Sequence, residues 1–452
     1  MRNTNRNKRK SIKKRQARLL FALTVALAAL FIMAEKDGDI LHGITGSREA
    51  ESKQKLASKE LNKTITNEMS AIPELDGLDK KIRKYIMNWH IKGASLAIVR
   101  NDSLVYAKGY GWADEELEIP MEPGHIMRVA SVSKLITATG IMVLQDQGKL
   151  TIKDKVFGPD GVLNDEHFNE LTKCDPRYYD MTVEDIMRHR SCFMSDQLFR
   201  SKEVQTYMGL DNPPTKDDFF TLVFRNKLIA APGTRASYSN FGYLVLSEII
   251  ERVSQMPYDE FIKKHVLKPA GCYDMHIAGI YYKDKRKNEV RYYTQEGPGK
   301  YAPDFKNPQD TVESCYGKNN IPLLSGAGAW CSSTIELARL IASIDGDDYV
   351  RDIITPASFR QMTETTDDST FGLGWNYTEP QRGWSRTGTF DGTSALIRYY
   401  PDGECWILVT NTGTYKGPRF TKNTDALFTE CRRLYSSKLP KADLFADDYP
   451  LE

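Results

Sequence analysis

Two hairpin signals, one near each end of the chain, restrict the fold more than any other feature of the sequence. Near the start, GASLAIVRNDSLVYAKGYG gives a strand-like run from Ala94 to Val99, a turn at Asn101-Asp102 and a second run from Leu104 to Tyr110. Near the end, TSALIRYYPDGECWILVTN repeats the pattern around Pro401-Asp402-Gly403. Apolar, β-branched and aromatic runs separated by turn residues predict strands. Outside them, Leu75, Leu78, Ile82, Tyr85 and Ile86 fall at helical spacing, and a last helix is expected from about Asn423 to Ser436. The sequence between is richer in helical pattern, so one antiparallel sheet built from both ends is expected, flanked by helices. A mostly helical insert would occupy about 140–325. This is an α+β arrangement.

The chain outside that frame reads differently. Residues 1–18 carry nine Lys/Arg and no acid; removing them from 62 basic residues leaves 53 against 60 acidic ones. The remaining body is mildly acidic, which argues against a nucleic-acid partner, since phosphate binding needs a basic surface. Residues 19–34, LLFALTVALAALFIMA, are uncharged. At sixteen residues the run is short for a spanning helix, which needs about 17–25, yet it also suits the apolar region of a signal peptide. Both readings stay open, a retained single-pass anchor or a cleaved leader. Either places the basic tail in the cytoplasm and the following domain outside it, at the cell membrane or in the periplasm. Residues 35–72 read as a polar tether, 73–437 as the folded domain and 438–452 as a tail. Seven scattered cysteines and seven histidines show neither a disulfide framework nor a metal-ligand spacing, so neither a metal nor another cofactor is expected.

The chemistry is sought in RVASVSKLITATG, residues 128–140. Ser131 and Lys134 stand three apart where an apolar helix begins, and therefore share a face. Lysine accepts a proton only when neutral. Moving it from ~10.4 toward neutrality requires a drop of about 2–3 units, roughly 3–4 kcal/mol, which burial and neighbouring cations supply. The spacing alone is weak: Ser11–Lys14 and Ser52–Lys55 match it too, in the basic tail and the tether. An N-capping serine with a solvated lysine is the commoner explanation of such a pair. Two further elements shift the balance. Tyr238-x-Asn240 precedes an apolar helix, and Arg386-Thr387-Gly388 lies on a strand leading into the C-terminal hairpin. Serine-x-x-lysine, a polar-x-asparagine element and a basic-Thr-Gly strand form a known catalytic set in that order.

With these motifs, the chain resembles the serine hydrolases related to class C β-lactamases and penicillin-binding D,D-peptidases. The resemblance runs from about 75 to 435 and includes GWADEE, MTVEDIMRHRS, APGTRASYSNFGYLVLSEIIE, GAGAWCSSTIELARLI and FGLGW. It implies a sheet domain and a helical domain with the active site in the groove between them. It further implies Ser131 as the nucleophile of an acyl-enzyme, and Lys134 with Tyr238 as shared general base and acid. Asn240 would bind the substrate amide and steady Lys134. The backbone N–H groups of Ser131 and Thr389 would form the oxyanion hole. Arg386, Thr387 and Gly388 would line the substrate site.

Two positions depart from the family pattern. Arg386 stands where relatives have Lys or His, and is expected to be the cation that keeps Lys134 and Tyr238 below their ordinary range. It can grip a substrate carboxylate with two parallel bonds but cannot shuttle a proton. Cys192 replaces a glycine in HRSCF, suggesting a different course for that loop. His189 is expected to be structural. Trp330, Trp375 and Trp384 suit the core better than the cleft, and the Tyr-rich stretch 281–305 suits a loop or hairpin. The expected activity is hydrolysis of an ester or amide in a small molecule or peptide, such as a cell-wall fragment. An esterase or D-amino-acid or D,D-peptidase is favoured over a dedicated β-lactamase. The competing reading is a catalytically silent wall-binding protein on the same scaffold.

Overall fold

The computed structural model describes residues 65–447, apart from 195, 197, 298, 348, 366–370 and 380. The leader 1–34 and most of the expected tether lie outside the described residues, as does the end of the expected tail. Among the described residues, no helix is long and apolar enough to cross a membrane.

Both hairpins form and join one sheet. Strand β1 (Gly93–Arg100) pairs with β2 (Ser103–Asp114), which carries the short β3 (Ile119–Pro120). From the other end come β4 (Tyr377–Glu379), β5 (Gly383–Phe390), β6 (Thr393–Tyr399) and β7 (Glu404–Thr410). The order across the sheet is β4-β5-β6-β7-β1-β2-β3, with Ala94 opposite Thr410 and Arg100 opposite Glu404 where the two halves meet. Strands β6, β7 and nearly all of β1 are buried on both faces, so each carries consecutive apolar residues (ALI, WILV and LAIV) rather than a strict alternation.

Alternating side chains supply two cores. Leu96, Ile98, Trp406 and Leu408 pack with Leu78 and Ile82 of helix α1 (Asp76–Asn88) and with Phe428 of the C-terminal helix Thr421–Tyr435. Ala97, Val99, Ile407 and Val409 face the larger core, which contains the insert. Its central helix, α2 (Ser133–Asp146), is apolar all round and buried from Ser133 to Leu144. Its buried Thr137 hydroxyl is satisfied by Ser133 O, Gly326 O and Tyr258 OH. Helix α3 (Asn240–Ser254) starts at Ser239, whose hydroxyl accepts the Gly242 N–H. Helix α4 (Thr334–Ala342) covers β1 and is capped likewise by Ser333.

Three expected boundaries change. The insert's longer helices end at Leu267; from His276 to Glu313 it consists of short strands, turns and one 3-10 turn (Tyr282–Asp284), because that Tyr-, Lys- and Gly-rich sequence has no helical periodicity. The expected tether already belongs to the body at its end: Ile65 is buried, and Asn67 bonds Met121 O and Gly109 N–H. The tail docks through Asp443, which accepts the Leu104 N–H, and through buried Leu444.

Candidate active site

Four separate segments converge on Ser131. The serine sits in a 3-10 turn, Ala130–Val132, directly ahead of α2. Its predecessor Ala130 has φ 46°, a left-handed conformation uncommon for a residue with a side chain. Such strain is typical of residues that hold a functional group in an imposed direction.

Lys134 is completely buried. Its Nζ lies 3.1 Å from Ser131 Oγ, 2.8 Å from Asn240 Oδ1 and 2.5 Å from Ala327 O. Two of these partners are carbonyl oxygens, which can only accept. A neutral amine has two N–H groups for them and one lone pair left for the serine hydroxyl proton. Burial pushes the amine below its ordinary range. Tyr238 opposes that shift, and the Arg386 charge reinforces it.

Tyr238 lies at the cleft mouth, 39% exposed, with its hydroxyl donating to Ser131 Oγ at 2.8 Å. Although part of the residue is exposed, Ser131, Arg386 and His189 crowd the phenol and take water from it, which opposes its ionisation. The Lys134 and Arg386 charges and the hydrogen bonds around it prevail, bringing it down to about 8. Its ring packs against His189, with centroids 4.3 Å apart and the planes tilted by 33°. Nδ1 of His189 accepts the Ser239 N–H, and burial with the nearby Arg386 and Lys134 charges keeps the ring neutral. His189 therefore props the phenol as well as shaping the loop, a role more specific than the structural one expected.

Arg386 acts on both bases as expected, its charge lowering Lys134 and Tyr238, but its placement differs from the expected grip on a carboxylate. It is wholly buried, with Nε donating to Ser131 O at 2.7 Å and one terminal nitrogen donating to Tyr238 OH at 3.3 Å. No two-armed face is presented to a substrate carboxylate: Nε and one terminal nitrogen are held by the nucleophile's own turn and the phenol, and the other, Nη1, is buried without a hydrogen-bond partner among the described residues. Thr387 likewise gives its N–H and hydroxyl to Asn376 Oδ1, at 2.8 and 3.0 Å, rather than to the Ser131 group.

Gly388 explains how β5 reaches the nucleophile. A Cβ there would stand 2.1 Å from Val129 O and 3.1 Å from Ser131 N. Only glycine lets the strand carrying Thr389 run against the turn that carries Ser131. Thr389 itself pairs with Ser394 on β6. Cys192 keeps the backbone that glycine usually provides, at φ 58°, and its thiol bonds Ala231 O. Of the three tryptophans, Trp330 and Trp375 are core residues and Trp384 is partly buried against that core.

Sequence reasoning missed Ala327, whose contribution is a backbone carbonyl and leaves no side-chain signal. It also missed Asn376, next to the FGLGW motif, and Asp196, whose carboxylate accepts the Asn240 N–H at the start of α3.

Known proteins share this architecture. PbpX of Bacillus subtilis is 26% identical over 422 residues, spanning 90% of this chain and 92% of PbpX. The octameric penicillin-binding protein homologue from Pyrococcus abyssi matches with a TM-score of 0.60 and 23% identity, over 80% of this chain and 77% of that one. The D-amino acid amidase from Ochrobactrum anthropi matches with a TM-score of 0.63 and 17% identity, over 81% and 100%. Similarity at these identities speaks to the fold. The sequence model of the beta-lactamase family covers residues 78–429, a span that includes the Ser131, Lys134, Tyr238, Asn240 and Arg386 cluster, and the chain belongs to that family of serine hydrolases.

Proposed function

We propose that this protein is an exported hydrolase that cleaves an ester or amide through an acyl-Ser131 intermediate. The observation that carries the reading is the double contact on one hydroxyl, with Lys134 Nζ at 3.1 Å and Tyr238 OH at 2.8 Å from Ser131 Oγ. The Ser131 oxygen attacks the substrate carbonyl carbon while its proton passes to the Lys134–Tyr238 pair, which titrates as a unit. The same pair returns a proton to the departing alcohol or amine, and water then releases the acyl group by the reverse path. Asn240 turns its carbonyl to Lys134, so its NH2 is what it offers a substrate amide. The N–H groups of Ser131 and Thr389 receive the developing oxyanion. Esters and D-amino-acid or D,D-peptide amides suit this site better than dedicated β-lactam turnover, since Arg386 keeps a positive charge but cannot carry a proton. Residues 19–34 serve as anchor or leader, placing the domain outside the cytoplasm.

The test is covalent labelling with a serine-reactive fluorophosphonate or penicillin probe. Wild type is expected to become labelled and Ser131→Ala to remain unlabelled. Failure of both probes on wild type would favour a silent wall-binding protein instead.

A second measurement concerns Arg386. Its charge lowers both Lys134 and Tyr238. Removing it raises both groups, so a smaller fraction is proton-free at neutral pH. For Arg386→Ala, the rise of kcat/KM with pH, expected near 8 in wild type, should move upward by roughly one unit. Activity at pH 7 should fall about tenfold, for neutral esters and carboxylated ones alike. Arg386→Lys should restore the profile. An unchanged midpoint in Arg386→Ala would contradict this electrostatic role.

A further inference from the structure

Of the three groups that meet Lys134 Nζ, Ala327 O comes from the segment least able to hold itself. Ser325-Gly326-Ala327 ends the 3-10 turn Pro322–Ala327, and Ser325 there has φ 41° and ψ −121°. A residue with a side chain rarely enters that positive-φ region, and stays there only where its surroundings impose it. Gly326 is pressed between two helices: a Cβ would stand 2.7 Å from Thr137 Oγ1 on α2 and 2.9 Å from Tyr243 O on α3. Released, such a segment would relax and carry the Ala327 carbonyl away from the amine.

A buried chain of hydrogen bonds holds it. The Trp330 indole N–H can only donate, and it donates to Tyr258 OH at 2.9 Å. Burial pushes the Tyr258 phenol well above its ordinary range, so it keeps its own proton, and Thr137 Oγ1 lies 2.8 Å from it. The Thr137 hydroxyl in turn reaches Gly326 O at 2.8 Å, nearer than the helix's own Ser133 O at 3.1 Å. Trp330, Tyr258 and Thr137 are all buried, so water cannot replace any link. Beyond Ala327, the Trp330 backbone N–H donates to Ser133 Oγ at 3.1 Å. Residues 325–330 are thus fastened at both ends to the first turns of α2, by Ser133 and Thr137 on either side of Lys134.

We propose that Thr137, Tyr258 and Trp330 are positioning residues for the base, holding Ala327 O against Lys134 Nζ so that the amine's lone pair faces Ser131. The inference rests on the acyl-Ser131 reading. A neutral amine has two N–H groups, and with Ala327 O and Asn240 Oδ1 in place both are engaged, leaving the lone pair to Ser131 Oγ. Without Ala327 O the amine can turn, and the accepting orientation becomes one among several. The carbonyl oxygen, the negative end of a dipole, also favours the charged amine. Among the other groups facing Lys134, Tyr238 and Asp196 favour the ammonium, Arg386 opposes it and His189 is neutral. The Tyr243 ring, 5.5 Å from Nζ, stays protonated because it is buried. Loss of the Thr137 hydroxyl removes none of these, so withdrawal of Ala327 O should lower the amine further, the opposite of removing Arg386.

The experiment uses the full chain and a p-nitrophenyl ester, with fluorophosphonate labelling of Ser131 alongside. Thr137→Val keeps the side chain's shape and Tyr258→Phe loses one oxygen; each should lower kcat about tenfold and leave KM within about twofold of wild type. The midpoint of kcat/KM should move down by about half a pH unit. Thr137→Ser retains the hydroxyl and should restore both. The double variant should lose little more than either alone, because both act through one carbonyl. Should Thr137→Val fail to fold, Tyr258→Phe makes the same test. A lower unfolding temperature with kcat and midpoint unchanged, an upward shift of the midpoint, or an equal loss in Thr137→Ser would each overturn the proposal. A wild type that takes no label would remove the acyl-Ser131 reading and this inference with it. A labelled wild type whose folded variants match it in kcat and pH profile would remove this inference alone.

Discussion

Replacing Lys134 with arginine should lower kcat by about a thousandfold or more across pH 6–9. A guanidinium stays protonated throughout that range, so it has no lone pair for the Ser131 proton. The geometry adds a second obstacle. The Lys134 amine has its three partners in place, in a pocket without exposure, and the planar fork of arginine matches neither their number nor their directions. Lys134→Met fits the stem but lacks any base, so an equal loss of kcat there assigns the defect to the missing proton acceptor rather than to a steric clash. Circular dichroism and the unfolding temperature would identify a variant that fails to fold. A folded Lys134→Arg retaining a tenth of wild-type kcat would remove Lys134 from the role of base. Because the nucleophile and its base act together, Ser131→Ala combined with Lys134→Arg should lose little more than either alone.

Gly388→Ala should be nearly as damaging, although the glycine carries no chemistry. Its new methyl would meet Val129 O at 2.1 Å, a backbone atom that cannot swing aside. Either β5 withdraws or the turn bearing Ser131 tilts. Both outcomes separate the N–H groups assigned to the oxyanion, where loss of one donor costs about a hundredfold or more in kcat. Overpacking of this kind also costs about 1–3 kcal/mol of stability. Gly148→Ala is the control. That glycine has φ 67° and nothing within 4 Å of its missing Cβ, so alanine there should destabilise slightly and leave kcat unchanged. Equal kcat in Gly388→Ala and wild type would show that the close approach of β5 is irrelevant to turnover.

The legible parts of this molecule were those written in local pattern. The hairpins at 93–111 and 393–411, the first and last helices, and the joining of both ends into one sheet follow from alternation, turn residues and helical spacing. Ser131, Lys134, Tyr238 and Asn240 could be grouped because three short motifs occur in a familiar order, and the structure brings all four within bonding reach. The direction of the Arg386 side chain could not be read. Strand periodicity places it on a face, but only packing reveals that the face is closed by Ser131 O and Tyr238. Nor could the backbone carbonyl of Ala327, since a carbonyl is common to every residue.

The pairing of β1 with β7 has a consequence for how the chain is made. Residues 94–100 emerge early in synthesis, yet their partners at 404–410 come some 300 residues later. Until then one edge of β1 is open, and closing so long a loop must precede the reward of pairing. The polypeptide thus cannot complete its central layer on the ribosome until nearly all of it has been translated. A chain held incomplete for that long keeps the open edge of β1 available for wrong pairing until its last strands arrive.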